Sequence, residues 1–240
     1  MEIQYLGHYC FTIKGASQTL LIDPAISQET FAKIPAPDFV LLTSSLYGHF
    51  NIPAFKFIPT TTTVIIPKGL RRFVKKFIPN PLFELSPQES VTAQGLTITA
   101  VPIHLWGYRL CPFILRPSTG YLIKTETANL FYPGNTGYGP NFKKLGQEVK
   151  LDTVILPYRD LPIRQLLHHR TLHPKNFVAV CQDLGPKTVL ALPEWFPTHN
   201  GGNAHYLERL QEALLRVFPK DSLTQLKFVD PEWFSAIGIR

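Results

Sequence analysis

The first third of the chain alternates short apolar runs with small or polar breaks. Glu2–Leu6, Tyr9–Lys14 and Thr19–Ile22 are compact runs of apolar, aromatic and β-branched residues, separated by Gly7-His8 and by Gly15-Ala16-Ser17. That pattern predicts strands joined by tight turns. Phe39–Thr43 is apolar almost throughout, as for a strand covered on both faces. Thr61–Ile66, Leu96–Val101, Tyr121–Lys124, Asn129–Tyr132, Thr153–Leu156 and Thr188–Leu192 repeat the signal. Helical spacing lies between and after these strands. Lys68–Phe77 carries Leu70, Phe73, Val74 and Phe77 on one side and Lys68, Arg71, Arg72, Lys75 and Lys76 on the other. His173–Leu184 reads as a helix with Pro174 in its first turn and Gly185 past its end. Asn203–Val217 is a third amphipathic stretch, stopped by Pro219. Many short strands in two groups with helices beside them point to a layered α/β fold.

Composition narrows this only a little. A chain of 240 residues suits a single domain, taken here as residues 1–240. No run approaches the length of a membrane span, and the start lacks the basic and apolar regions of a secretion signal. The expectation is a soluble, cytoplasmic protein. Cys10, Cys111 and Cys181 stand far apart, form no CxxC pair and are expected to be buried free thiols. The formal charge of +7 favours acidic surfaces such as anionic lipid or nucleic acid, but does not choose among them.

The order of short motifs is more specific. Tyr5-Leu6-Gly7-His8-Tyr9-Cys10-Phe11 resembles the WLGHASF opening of one branch of the metallo-β-lactamase superfamily, a branch that includes ascorbate-phosphate lactonases and N-acyl-phosphatidylethanolamine phospholipases. Leu20-Leu21-Ile22-Asp23-Pro24 resembles its ILIDP strand end, and Asp38–Thr43 its D-x-VLLT strand. Phe131–Tyr138 resembles FYAGDTGY, Leu156-Pro157-Tyr158 resembles LPIG, Leu172-His173-Pro174 resembles HMNPEEA, and Leu192–Phe196 resembles IHWGTF. The matches run in family order over residues 2 to 215. The resemblance implies an αββα four-layer sandwich with its site at one edge of the two sheets.

The metal ligands that the resemblance implies are mostly replaced. The family loop H-x-H-x-D-H reads Ser44-Ser45-Leu46-Tyr47-Gly48-His49 here, so only His49 keeps a ligand type. His104 matches a further ligand histidine, Asn135 stands at the bridging aspartate, and Glu194 stands at the last histidine. Zinc takes its ligands from imidazole, thiolate or carboxylate. Leu46 and Gly48 offer none, Ser44 offers a poor neutral donor, and Asn135 lacks the charge of a bridging carboxylate. His49, His104 and Glu194 are the remaining catalytic or metal candidates. The family geometry assigns His104 to one ion and the other two positions to the second. No cofactor is expected, although His49, Glu194 and a third donor leave room for one weakly held divalent metal.

The leading expectation is therefore a non-hydrolytic pseudoenzyme that binds a ligand or partner or serves in assembly. The alternative is a divergent hydrolase of a phosphate ester, phosphodiester or lactone. A second alternative is a peripheral binder of anionic lipid or nucleic acid through Lys68, Arg71, Arg72, Lys75 and Lys76. His8, Ser44, Ser45, Tyr47, Asn135, His173 and Arg109 are expected to line the pocket, with Trp106 and Tyr108 near its mouth. A Ser-His-Glu arrangement from Ser44 or Ser45, His49 and Glu194 lacks a Gly-x-Ser-x-Gly elbow and is not favoured.

Overall fold

In β3 (Thr19–Ile22) all four residues are buried, and alternation sends Leu20 and Ile22 to one core and Leu21 to another. A strand with two dry faces needs a layer on each side, and the whole molecule repeats that solution. The computed structural model describes residues 1–15, 17–46, 48–93, 95–103, 117–158, 172, 174–193, 226–228 and 237–238.

The first sheet joins β1 (Glu2–Gly7), β2 (Cys10–Lys14), β3, β4 (Phe39–Leu41), β5 (Thr63–Pro67) and β6 (Leu82–Leu85) in chain order, with β14 (Ile237–Gly238) beside β1. The second joins β7 (Ser90–Ala93), β8 (Leu96–Val101), β9 (Gly120–Lys124), β10 (Asn129–Tyr132), β11 (Thr153–Tyr158), β12 (Thr188–Pro193) and β13 (Leu226–Phe228). Phe11, Ile13, Leu41 and Ile65 of the first sheet meet Ile98, Tyr121, Ile123 and Tyr132 of the second in the central core. Outside the first sheet, Val40, Leu42, Val64 and Ile66 pack with Phe55, Leu70 and Val74. Outside the second, Leu122, Phe131 and Val154 pack with α3 (Asn141–Glu148) and α4 (Pro174–Leu184) through Phe142, Leu145, Phe177 and Cys181. The expected αββα sandwich is thus the observed fold.

The expected strands are all present, with ends shifted by a residue or two. The basic helix is shorter than its periodicity suggested. Only α2 (Arg71–Val74) is α-helical, flanked by turns at Leu70 and at Phe77. Gly69, at φ +83°, and Pro79 interrupt the helix on either side. Leu70, Val74 and Ile78 still follow a four-residue spacing into the core, which leaves Arg72, Lys75 and Lys76 exposed. α4 starts at Pro174 and ends before Gly185, whose N–H bonds back to the Cys181 carbonyl at 2.9 Å. α1 (Gln28–Phe31), α3, β6, β7, β13 and β14 lie where the pattern gave no clear signal. The proposed helix Asn203–Val217 falls outside the described residues. No helix among the described residues is long and apolar enough to cross a membrane.

Candidate functional site

β3, β4 and β5 run parallel, so their C-terminal ends share one edge of the first sheet. Loops leaving β3 and β4 meet there with the loop after β10. Contacts between the two sheets gather at this edge. Tyr121 donates its hydroxyl to the Leu42 carbonyl at 2.9 Å, Thr119 donates its N–H to the Thr43 carbonyl at 3.0 Å, and Gly134 sits against Thr43. A Cβ at Gly134 would lie 2.7 Å from that of Thr43, so only glycine fits this crossing.

Asp23 is the hub of the edge. It is fully buried, at the end of β3, with a positive φ of 44° that Asp tolerates better than most residues. Its Oδ1 accepts the Thr43 N–H at 2.7 Å. Its Oδ2 accepts the Thr43 hydroxyl at 2.6 Å, the Tyr132 hydroxyl at 3.3 Å and the His49 Nδ1 at 2.7 Å. Burial, and secondarily the Asp23 charge, hold the Tyr132 phenol far above its ordinary range, so it stays a donor. The carboxylate favours the His49 tautomer protonated at Nδ1, which puts the lone pair on Nε2. That Nε2 is buried and has no hydrogen-bond partner among the described residues, and neither has the buried Asn135 Oδ1.

The face of His49 is covered. The Tyr9 ring stacks on the imidazole at a centroid distance of 4.0 Å and an interplanar angle of 15°. The same Tyr9 ring lies beside Gly48, where a Cβ would come within 3.0 Å of Cδ2 and Cε2. Gly48 also has φ +87°, which strains any L side chain.

Ser44, Ser45 and Asn135 are all buried at this edge. Ser44 Oγ accepts the Leu46 N–H at 3.3 Å. Since His49 Nε2 has no partner among the described residues, neither Ser44 nor Ser45 is hydrogen-bonded to it as a nucleophile would be. His8 has φ 52°, is exposed, and borders a cavity of about 350 Å3 with Ala25, Gly48 and residues 50–53. Tyr47, His104, Trp106, Tyr108, Arg109, Cys111, His173 and Glu194 lie outside the described residues. Cys10 and Cys181 are buried free thiols, and burial drives both pKa values upward. In the basic segment, Arg71 is held by Glu84 at 3.1 Å, while Arg72 and Lys76 lie over the rings of Phe73 and Phe77, each at 4.7 Å from the centroid.

These donors do not suit a two-metal centre. Among the described residues His49 Nε2 and Asn135 Oδ1 are buried and without partners, but position 46 is alkyl and position 48 has no side chain and is crowded by Tyr9. Among the described residues no three His, Cys, Asp or Glu side chains converge. Sequence reasoning placed His49 and Asn135 but passed over Asp23, Thr43, Tyr132 and Tyr9. Tyr9 carried a visible signal, a bulky ring where the resembled motif has alanine.

Comparison with known proteins agrees with this architecture. A "UPF0173 metal-dependent hydrolase" of Methanoregula boonei is 24% identical over 195 residues, covering 80% of this chain and 81% of that protein. Igni18, described as a novel metallo hydrolase from Ignicoccus hospitalis, superposes with a TM-score of 0.75 at 16% identity, over 100% of this chain and 99% of that one. CmlA, a diiron β-hydroxylase from Streptomyces venezuelae, superposes with a TM-score of 0.75 at 18% identity, over 94% of this chain and 52% of CmlA, so this chain spans about half of that protein. The family described as Beta-lactamase superfamily domain matches residues 2–192. The chain belongs to that family, with the metallo-β-lactamase fold.

Proposed function

We propose that this chain is a non-hydrolytic member of its superfamily that holds a small ligand or partner at the mouth of the altered site. One observation carries the reading: Tyr9 stacks on His49, and its ring crowds the space that a side chain at position 48 would enter. A zinc-bound water reaches a pKa of about 7 and so supplies hydroxide at neutral pH, whereas an unassisted water does not. Nothing among the described side chains substitutes for it. The cavity beside His8 and Gly48, at about 350 Å3, falls at the small end of the usual range for ligand pockets. The fold is neutral on this point, because proteins described as metal-dependent hydrolase, metallo hydrolase and diiron β-hydroxylase share it.

The test is elemental analysis of protein purified without chelator or added metal. It is joined to assays on phosphate esters, phosphodiesters and lactones with added Zn2+, Mn2+ or Fe2+. Substoichiometric metal and no metal-dependent turnover are expected. Stoichiometric zinc together with turnover that zinc restores after chelation would refute the proposal.

A second reading has one observation in its favour. Among the described residues His49 Nε2 and Asn135 Oδ1 are buried and without partners, and a relative is named a metal-dependent hydrolase. A divergent hydrolase would hold one divalent metal through His49 and a donor outside the described residues, such as Glu194. It requires that His49→Ala and His104→Ala each abolish a hydrolytic activity found in the wild type. An activity that survives both changes eliminates it.

A further inference from the structure

Gly48 and Tyr9 occupy one space between them. The direction in which a side chain would leave residue 48 ends 3.0 Å from two carbons of the Tyr9 ring, closer than carbon atoms approach without displacement. The ring cannot retreat freely, because its other commitment is the stack on His49, and His49 is held by Asp23. Tyr9 and His49 are both buried, so a ring displaced from Gly48 gives up part of its stack on the imidazole.

We infer that Tyr9 is a steric lock on the candidate site: its ring and an acidic side chain at position 48 compete for one space, so metal binding does not return when ligand residues alone are restored. This rests on the non-hydrolytic reading and adds a cause to it. The missing donors at positions 44, 46 and 48 are not independent gaps. Position 48 is filled by a residue from the β1–β2 turn, far away in sequence. The lock also gives Tyr9 a positioning role, since it packs the imidazole face that solvent or a ligand would otherwise reach.

The lock predicts non-additivity that backbone strain alone cannot produce. Gly48 has φ +87° whether or not the ring is present, so the conformational cost of a side chain there is common to both backgrounds, whereas the contact cost requires Tyr9. In a cycle of Gly48→Ala, Tyr9→Ala and the double variant, Gly48→Ala should lower the urea midpoint markedly in the wild type and much less beside Tyr9→Ala. Equal decrements in both backgrounds overturn the lock. If Gly48→Ala alone does not fold, a folded double variant supports it. An unfolded double variant beside a folded Tyr9→Ala overturns it.

Zinc affinity provides a readout independent of activity. Ser44→His/Leu46→His/Gly48→Asp should bind Zn2+ no better than wild type in equilibrium dialysis. Adding Tyr9→Ala should tighten binding by at least about tenfold, equivalent to roughly 1.4 kcal/mol. No gain from Tyr9→Ala, or tight zinc in the triple variant with Tyr9 intact, overturns the inference. Stoichiometric zinc with turnover in the unaltered protein would instead refute the non-hydrolytic reading, so the two failures are distinguishable.

Discussion

At the residue scale, Asp23 gathers four buried groups at this edge. Its carboxylate satisfies the Thr43 N–H and hydroxyl, the Tyr132 hydroxyl and His49 Nδ1, all buried. Asp23→Ala leaves these groups without an acceptor, and each buried orphan costs about 1–3 kcal/mol. The expected loss in urea denaturation is at least about 3 kcal/mol, beyond the usual range for a point change. Asp23→Asn should lose less, because it keeps the shape and one acceptor. A loss under about 1 kcal/mol for Asp23→Ala would mean that water replaces the carboxylate. The LLIDP motif displayed Asp23 but not its role, because the four groups it binds come from residues 43, 49 and 132.

At the element scale, two contacts show how helices and strands are held beside the sheets. Gly146 in α3 faces the backbone of Asp183 and Leu184 in α4, and a Cβ there would collide with the Asp183 carbonyl oxygen. Gly146→Ala gains helix propensity of about 1 kcal/mol but must push the helices apart, at a cost of about 1–3 kcal/mol. A net fall in thermal midpoint is expected, and a rise would show that the helices separate freely. The second contact joins α2 to β6. Glu84 accepts the Gly69 N–H at 2.8 Å and the Arg71 Nε at 3.1 Å. Partial burial pushes its pKa up, but Arg71 and the backbone N–H groups of Gly69 and Arg71 outweigh this and hold it below the usual carboxylate range. A carboxylate with a lowered folded pKa adds stability above its unfolded pKa and loses that contribution as pH falls through the folded one. Glu84→Gln should therefore destabilise near neutrality, by no more than about 1 kcal/mol for a pair this exposed. The difference should vanish in acid, and a pH-independent difference would show that shape rather than charge is responsible. Neither contact was legible in the periodicity, since glycine and a single glutamate carry no hydrophobic signal.

At the scale of the whole molecule, the chain's own residues make the contacts that close the edge of the candidate site. The two sheets are joined at the candidate site by Asp23, Thr43, Tyr121 and Tyr132 through hydrogen bonds, and by one close glycine crossing. A protein stabilised by a native-state metal loses that contribution on chelation, about 2.7 kcal/mol if the metal stands at a hundred times its Kd. The expected result here is the same unfolding midpoint with and without EDTA, and a drop of several degrees would argue for a resident ion. The amino-acid sequence by itself determined the layers: two-sided apolar strands such as Leu20–Ile22 and Phe39–Leu42 cannot rest until both faces are covered, and that requirement is local and visible. It also placed serine, leucine, glycine and asparagine at positions 44, 46, 48 and 135, because side-chain chemistry is a property of each position. Only the tertiary structure decided that Tyr9 fills the space beside Gly48 and that Asp23 orients His49. Those relations join positions 9, 23, 43, 48 and 132 across separate strands and loops, and proximity of that kind arises when two sheets close on each other.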